Sequence, residues 1–105
     1  MKKNKIDNIT IVVVIPYYNA AKHIVNVVAK LPEFIAAVII VDDCGSEMLP
    51  EVAIKKVIKA NSKLIILRNE HNLGVGGATK RGFQHAIDMK ADIVIKVDAD
   101  DQMDT

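Results

Sequence analysis

Four short apolar runs recur along the chain: Ile11–Ile15, Val38–Val41, Leu64–Leu67 and Ile93–Val97. Each is rich in β-branched residues and continuous rather than alternating, the pattern of strands covered on both faces. Helical patterns lie between them. Ile24, Val27, Val28 and Leu31 fall at helical spacing before Pro32, and Val52, Val57 and Ile58 mark a weaker helix after Pro50. Val75, Ala78, Phe83, Ala86 and Ile87 mark a third, after a glycine-rich entry. The order β-α-β-α-β-α-β implies right-handed crossovers and a mostly parallel sheet. The expected fold is α/β and Rossmann-like, about half of a doubly wound nucleotide-binding fold. No repeat, low-complexity segment or linker interrupts it, so residues 1–105 read as one domain. Such a half supplies strand ends and turns for a nucleotide but no second substrate lobe, so the chain is expected to be part of a longer protein.

Composition narrows the function classes. A net charge of +1 gives no electrostatic case for nucleic acid, and two Tyr, two Phe and no Trp make base-stacking platforms for a nucleic acid strand unexpected. One cysteine excludes an intrachain disulfide and fits a reducing compartment. The expected location is the cytoplasm, or the cytoplasmic face of a membrane for a longer protein. The basic start Met1-Lys2-Lys3-Asn4-Lys5 is followed by an apolar run only a strand long, too short for a signal-peptide core or a membrane span. His23, His71 and His85 show no ligand spacing with one another or with Cys44, so zinc is not expected.

Ligands of open α/β sheets sit outside the carboxyl ends of the strands, so the four turns there carry the functional argument. In Pro16-Tyr17-Tyr18-Asn19, the proline is expected to stop the first strand and Asn19 to cap the following helix. In Asp42-Asp43-Cys44-Gly45-Ser46, either a carboxylate accepts hydrogen bonds from a base or ribose, or the turn caps the next helix. In Asn72-Leu73-Gly74-Val75-Gly76-Gly77-Ala78, glycines permit a tight turn and close approach of a ligand, and the helix start can face a phosphate. Lys80 and Arg81, one turn further, either reach phosphates or lie on a solvated face. The spacing matches neither the dinucleotide fingerprint nor a P-loop. The last turn, Asp98-Ala99-Asp100-Asp101-Gln102, follows an apolar strand directly. Crowded carboxylates repel, a hard cation relieves the repulsion, and all-oxygen ligands favour Mg²⁺ or Mn²⁺ bound together with phosphate. Lys96, inside the last apolar run, is out of place there unless it snorkels at a sheet edge.

Taken together, these turns resemble the nucleotide-binding half of the family 2 glycosyltransferases, which have the GT-A fold. The resemblance rests on Val14-Ile15-Pro16-Tyr17-Tyr18-Asn19, Ile40-Val41-Asp42-Asp43-Cys44-Gly45-Ser46, Asn72 to Ala78 with Gly82, and Asp98-Ala99-Asp100, the D-x-D motif. Their order and spacing carry the match over nearly the whole chain. Asp98 to Gln102, and Gly76-Gly77-Ala78 with Gly82 and Phe83, look most like the dolichyl- or polyprenyl-phosphate sugar transferases.

The resemblance implies an inverting transferase, acting on a nucleotide-diphosphate sugar and a polyprenyl-phosphate, glycan or lipid acceptor. It implies nucleotide binding by Pro16, Tyr18, Asp43, Gly76, Lys80 and Asp98. Within that set, Pro16 and Tyr18 would line the base pocket, Asp43 would contact base or ribose, and Asp98 would face the sugar or ribose. Asp100, helped by Asp98 and Gln102, would hold Mg²⁺ or Mn²⁺ on the diphosphate. No catalytic residue is expected in this chain, since the family's carboxylate base comes from its C-terminal half, and the chain alone is expected to be inactive. Ala20 and Ala21 stand where the family often has an acid. Apolar surface left by an absent half would favour a homo-oligomer. Two alternatives stay open: a nucleotide-binding α/β module without transfer, and a nucleotidyltransferase. A phospho-acceptor signalling domain fits less well, because the acids follow the second and fourth runs.

Overall fold

In a computed structural model, residues 5–6 and 8–99 are described, with side chains from residue 8 onward. The elements run β1 (Lys5–Ile6), β2 (Ile9–Tyr17), α1 (Ala21–Ala29), β3 (Ala37–Asp42), α2 (Glu51–Val57), β4 (Lys63–Arg68), α3 (Gly74–Asp88) and β5 (Ile93–Lys96). The alternating α/β order expected from the apolar runs is present. The short β1, which pairs antiparallel with the start of β2, has no counterpart in that reading.

The four main strands are parallel and lie in the order β5-β2-β3-β4. The first strand of the parallel set therefore has the second on one side and the fourth on the other. The chain leaves β2 for β3 through α1, and returns from β4 to β5 through α3. The two directions meet between β2 and β5, which is the switch point where open α/β sheets form a ligand crevice.

Alternation along the strands divides the core. Ile11, Val13, Ile15 and Tyr17 of β2, with Val38 and Ile40 of β3, pack against Ile24, Val27 and Val28 of α1 and Ile54 of α2. Val12, Val14, Ile39 and Val41 face the other way, onto Ala78, Phe83 and Ala86 of α3. Both faces of β2 and β3 are covered, as the continuous apolar runs require. The outer strands depart from that expectation. β4 is mostly half-buried, and Ile93 and Ile95 of β5 are each 42% exposed. An edge strand has a neighbour on one side only, and these two isoleucines face the α1 side beyond the reach of the helices.

Pro16 does not stop β2; it lies inside the strand, in register with Val41. Tyr17 presents its carbonyl to Asp43 on the β3 side, whereas Val14 presents its carbonyl to Val97 on the β5 side. By alternation the Pro16 nitrogen faces β5. Its missing N–H ends the β2–β5 ladder, which runs to Val14↔Lys96, while the β2–β3 ladder continues to Tyr17↔Asp42. The sheet thus opens at one seam only, the seam that forms the crevice.

α3 crosses the sheet at Gly82. A Cβ there would lie 2.3 Å from Val14 Cγ1 and 3.1 Å from Val41 Cγ2, so only glycine allows this approach. Gly82→Ala gains about 1 kcal/mol in helix propensity but overpacks the seam, a cost of about 1–3 kcal/mol. The expected outcome is a net loss of about 1 kcal/mol in urea unfolding, and a larger loss for Gly82→Val.

Candidate nucleotide site

At the carboxyl end of the sheet, three segments enclose a hollow of about 260 Å³. β2 contributes Pro16, Tyr17 and Tyr18, the β3 end contributes Asp43, and the entry to α3 contributes Asn72, Gly74, Val75 and Ala78. A smaller hollow of about 150 Å³ adjoins it, sharing Pro16, Tyr18 and Val75 and adding Ala20, Asp98 and Ala99. The shared walls make one cleft across the switch point. It brings together Pro16, Tyr18, Asp43 and Asp98 of the expected nucleotide residues. Gly76 and Lys80 are exposed on α3 and do not line either hollow. A Cβ on Gly76 would meet nothing within 4 Å, so packing gives no reason for glycine there. Asp100 and Gln102 lie outside the described residues.

Asp43 is the organising group, although it is only 2% exposed. Its Oδ1 accepts from Asn69 Nδ2 at 2.7 Å and from the Leu73 N–H at 2.8 Å, and its Oδ2 accepts from the Gly74 N–H at 2.9 Å. Asn72 Nδ2 donates to the Asp43 backbone carbonyl at 3.1 Å. Leu73, at the N-cap of α3, makes no side-chain cap of its own. Asp43 therefore caps α3 from a different strand, and its charge meets the positive end of the helix dipole. Gly74 takes φ +82 to open the turn, a conformation that glycine adopts freely.

This arrangement corrects two expectations. The turn after β3 caps α3, not the next helix, and the start of α3 already carries an anion, so it is not a free phosphate cradle. Arg81 is engaged within the chain. Its guanidinium donates to the Arg68 carbonyl at 2.8 Å and to Asn69 Oδ1, extending the chain of contacts from Asp43 to the end of β4.

Asn19 also differs from its expected role. It adopts φ 49, and Ala20 is the N-cap residue of α1, with no side-chain cap. Asn19 Oδ1 instead accepts from the Glu47 N–H at 2.8 Å, and Glu47 Oε1 accepts from the Ala21 N–H at 3.1 Å. The turns after β2 and β3 thus cap one another reciprocally. Cys44 is exposed, and its Sγ donates to the Glu70 carbonyl at 3.5 Å.

Sequence reasoning did not single out Tyr17, Asn69 or Val75. A signal for Asn69 was present, since an amide directly after an apolar run can reach an acid at the end of the neighbouring strand. Tyr17 is buried, and its hydroxyl donates to the Met48 carbonyl at 3.4 Å. Burial, then the nearby Glu47 and Asp42 charges, raise the phenol above its ordinary value. Asp98 is reached from β5, half-exposed, and ion-paired with Lys96 at 3.0 Å. Among the described residues no group of three His, Cys, Asp or Glu side chains is placed to hold a metal ion, and no helix is long and apolar enough to cross a membrane.

A Rossmann-like sheet with a cleft at its switch point makes this an open α/β domain with a candidate ligand site at its carboxyl end. The model of glycosyl transferase family 2 matches residues 12–105, and the chain belongs to that family. It is 36% identical over 104 residues to the UDP-N-acetylglucosamine–dolichyl-phosphate N-acetylglucosaminyltransferase of Methanococcus voltae, covering 88% of this chain and 41% of that protein. Two uncharacterised proteins of Methanocaldococcus jannaschii are 33% identical over 100 residues (94% of this chain, 39% of theirs) and 27% identical over 92 residues (87% and 40%). The chain spans about two fifths of the length of the curated relatives it matches.

Two outcomes follow from the geometry. Asp43→Ala strands three donors beneath the cleft and is expected to cost about 3 kcal/mol in urea unfolding. For Tyr17, a raised folded-state pKa means stability that is complete below the unfolded value of 10.0 and falls as pH rises through the folded value. Tyr17→Phe should flatten that alkaline decline when unfolding is compared at pH 8 and above pH 10.

Proposed function

We propose that this chain forms the donor-binding part of an inverting glycosyltransferase, which takes a nucleotide-diphosphate sugar and delivers the sugar to a polyprenyl-phosphate acceptor. The observation that carries this reading is the continuous cleft from Asp43 to Asp98 across the β2–β5 seam. Its base end sets Pro16, Tyr18, Val75 and Ala78 beside Asp43 and Asn72, and its other end carries the Asp98 carboxylate. The name of the Methanococcus voltae relative supports UDP-N-acetylglucosamine as donor and dolichyl phosphate as acceptor.

In this reading Tyr18, which is 55% exposed and walls both hollows, stacks on the base against Pro16. Asp43 has spent two acceptor sites on Oδ1 and one on Oδ2, which leaves Oδ2 capacity for one N–H of the base. The first turn of α3 at Gly76 leaves open space for the donor. Lys80 lies further along the same helix and meets the diphosphate as a mobile charge.

Asp98 fits a hard divalent cation, being a half-exposed oxygen ligand on the cleft, and Asp100 and Gln102 complete the set in this proposal. Held there, such a cation would supply charge neutralisation for a nucleoside diphosphate leaving group. The chain's own residues bind and orient the donor, and none is assigned to proton removal from the acceptor.

Calorimetric titration with UDP and GDP, each with and without Mn²⁺, tests this. The expected result is metal-dependent binding of UDP, weakened about tenfold by Tyr18→Ala through lost stacking and abolished by Asp100→Ala. Binding that is indifferent to metal and to both substitutions overturns the proposal.

A further inference from the structure

Arg81 is exposed on α3 and lines neither hollow, yet only one amide separates it from the carboxylate of the larger one. Its guanidinium donates to Asn69 Oδ1 and, at 2.8 Å, to the Arg68 carbonyl. Asn69 is buried, and its Nδ2 donates to Asp43 Oδ1 at 2.7 Å. A side-chain amide has one accepting end and one donating end, whereas a guanidinium only donates. Arg81 therefore fixes which way the Asn69 amide points, with its oxygen to α3 and its N–H to Asp43. Reversed, the amide would set its oxygen against Asp43 Oδ1, acceptor against acceptor.

Resting on the assignment of Asp43 to the base, we infer that Arg81 is a positioning residue for base selection, acting through Asn69. Asn69 Nδ2 and the Leu73 N–H occupy Oδ1, so the free acceptor site stays on Oδ2, beside the Gly74 bond. A carboxylate held in this way takes a ring N–H, such as N3–H of uracil. It repels a ring nitrogen that carries a lone pair, such as N3 of cytosine. Without Arg81 the amide has no preferred orientation, and its reversed form pushes Oδ1 away and turns the carboxylate. Leu73 and Gly74 still hold Asp43 in place, so the fold survives the loss while the preference between bases falls.

Calorimetry with UDP and CDP, side by side in the same Mn²⁺ buffer, reads the preference as a ratio of affinities. The two nucleotides share ribose and diphosphate, so those contributions, and any loss of folded protein, cancel in the ratio. The wild-type chain is expected to favour UDP about tenfold or more. Arg81→Met should lower that ratio about three- to tenfold, the scale of one net hydrogen bond, mainly by weakening UDP. Arg81→Lys, which keeps a donor for Asn69 Oδ1, should restore most of it. Arg68→Met removes a neighbouring positive charge without touching the Asn69 amide, and should leave the ratio unchanged. An unchanged ratio in Arg81→Met overturns the inference, as does an equal fall in Arg68→Met. The wild-type titrations separate the two levels. If UDP and CDP bind alike, or neither binds, the assignment of Asp43 to the base fails and the role of Arg81 falls with it. If UDP is preferred and Arg81→Met keeps that preference, only the role of Arg81 fails.

Discussion

The Asp43 carboxylate joins three elements that are distant in sequence: the end of β3, the end of β4 through Asn69, and the first turn of α3. Its importance follows from how poor a helix start α3 would otherwise be. Gly74, Gly76 and Gly77 all fall in the first turn, where glycine is a weak helix former, and Leu73 offers no side-chain cap. An external carboxylate accepting two of the orphan amides, with its charge at the positive helix end, offsets that weakness. The glycines can then remain, and one of them, Gly74, lines the cleft. Asn69, itself held by Arg81, supports the carboxylate from behind, so the group that shapes the site is buried and held by three donors.

A second constraint is the single missing N–H of Pro16. In a central strand that loss would ordinarily weaken the sheet, but here it falls where β5 diverges from β2. The ladder to β3 runs on past it. The same residue therefore leaves one seam closed and opens the other, and the opened seam is the switch point that the topology makes into a crevice. Tyr18 stands at its rim, and Asp98 is brought there by β5. The mutual capping of Asn19 and Glu47 fixes the loop behind that rim, so the apolar wall rests on hydrogen bonds between turns rather than within one.

The cleft also has an electrical asymmetry. Its inner carboxylate, Asp43, is satisfied by neutral donors and a helix end, whereas its outer carboxylate, Asp98, is half-exposed and paired with an ammonium. Two acids at neighbouring strand ends thus sit in different surroundings. One is buried under three hydrogen bonds, and the other sits in a surface ion pair that costs little to break.

Much of this was legible in residue order. The β-branched runs at Ile11, Val38, Leu64 and Ile93 located the strands, the apolar spacings located the helices, and their alternation implied a parallel sheet with its site at the carboxyl ends. Those are consequences of local periodicity and chirality, which a linear chain displays openly. The motif turns, read together, pointed to the family that the chain belongs to. What could not be read was the assignment of each polar group. Asn19 looked like a cap for its own helix, Pro16 like a strand stop, and Arg81 like either a phosphate contact or a residue of a solvated face. Their actual partners lie across the sheet: Glu47, the β5 edge, and the end of β4. The Asp43 bonds span 26 to 31 residues, the length of one or more crossovers. The sequence by itself determined which elements form and on which edge their polar turns gather. Only the tertiary structure decided which acid caps a helix and which sits half-exposed in an ion pair, because hydrogen-bond partners are chosen by proximity in space after the crossovers have closed.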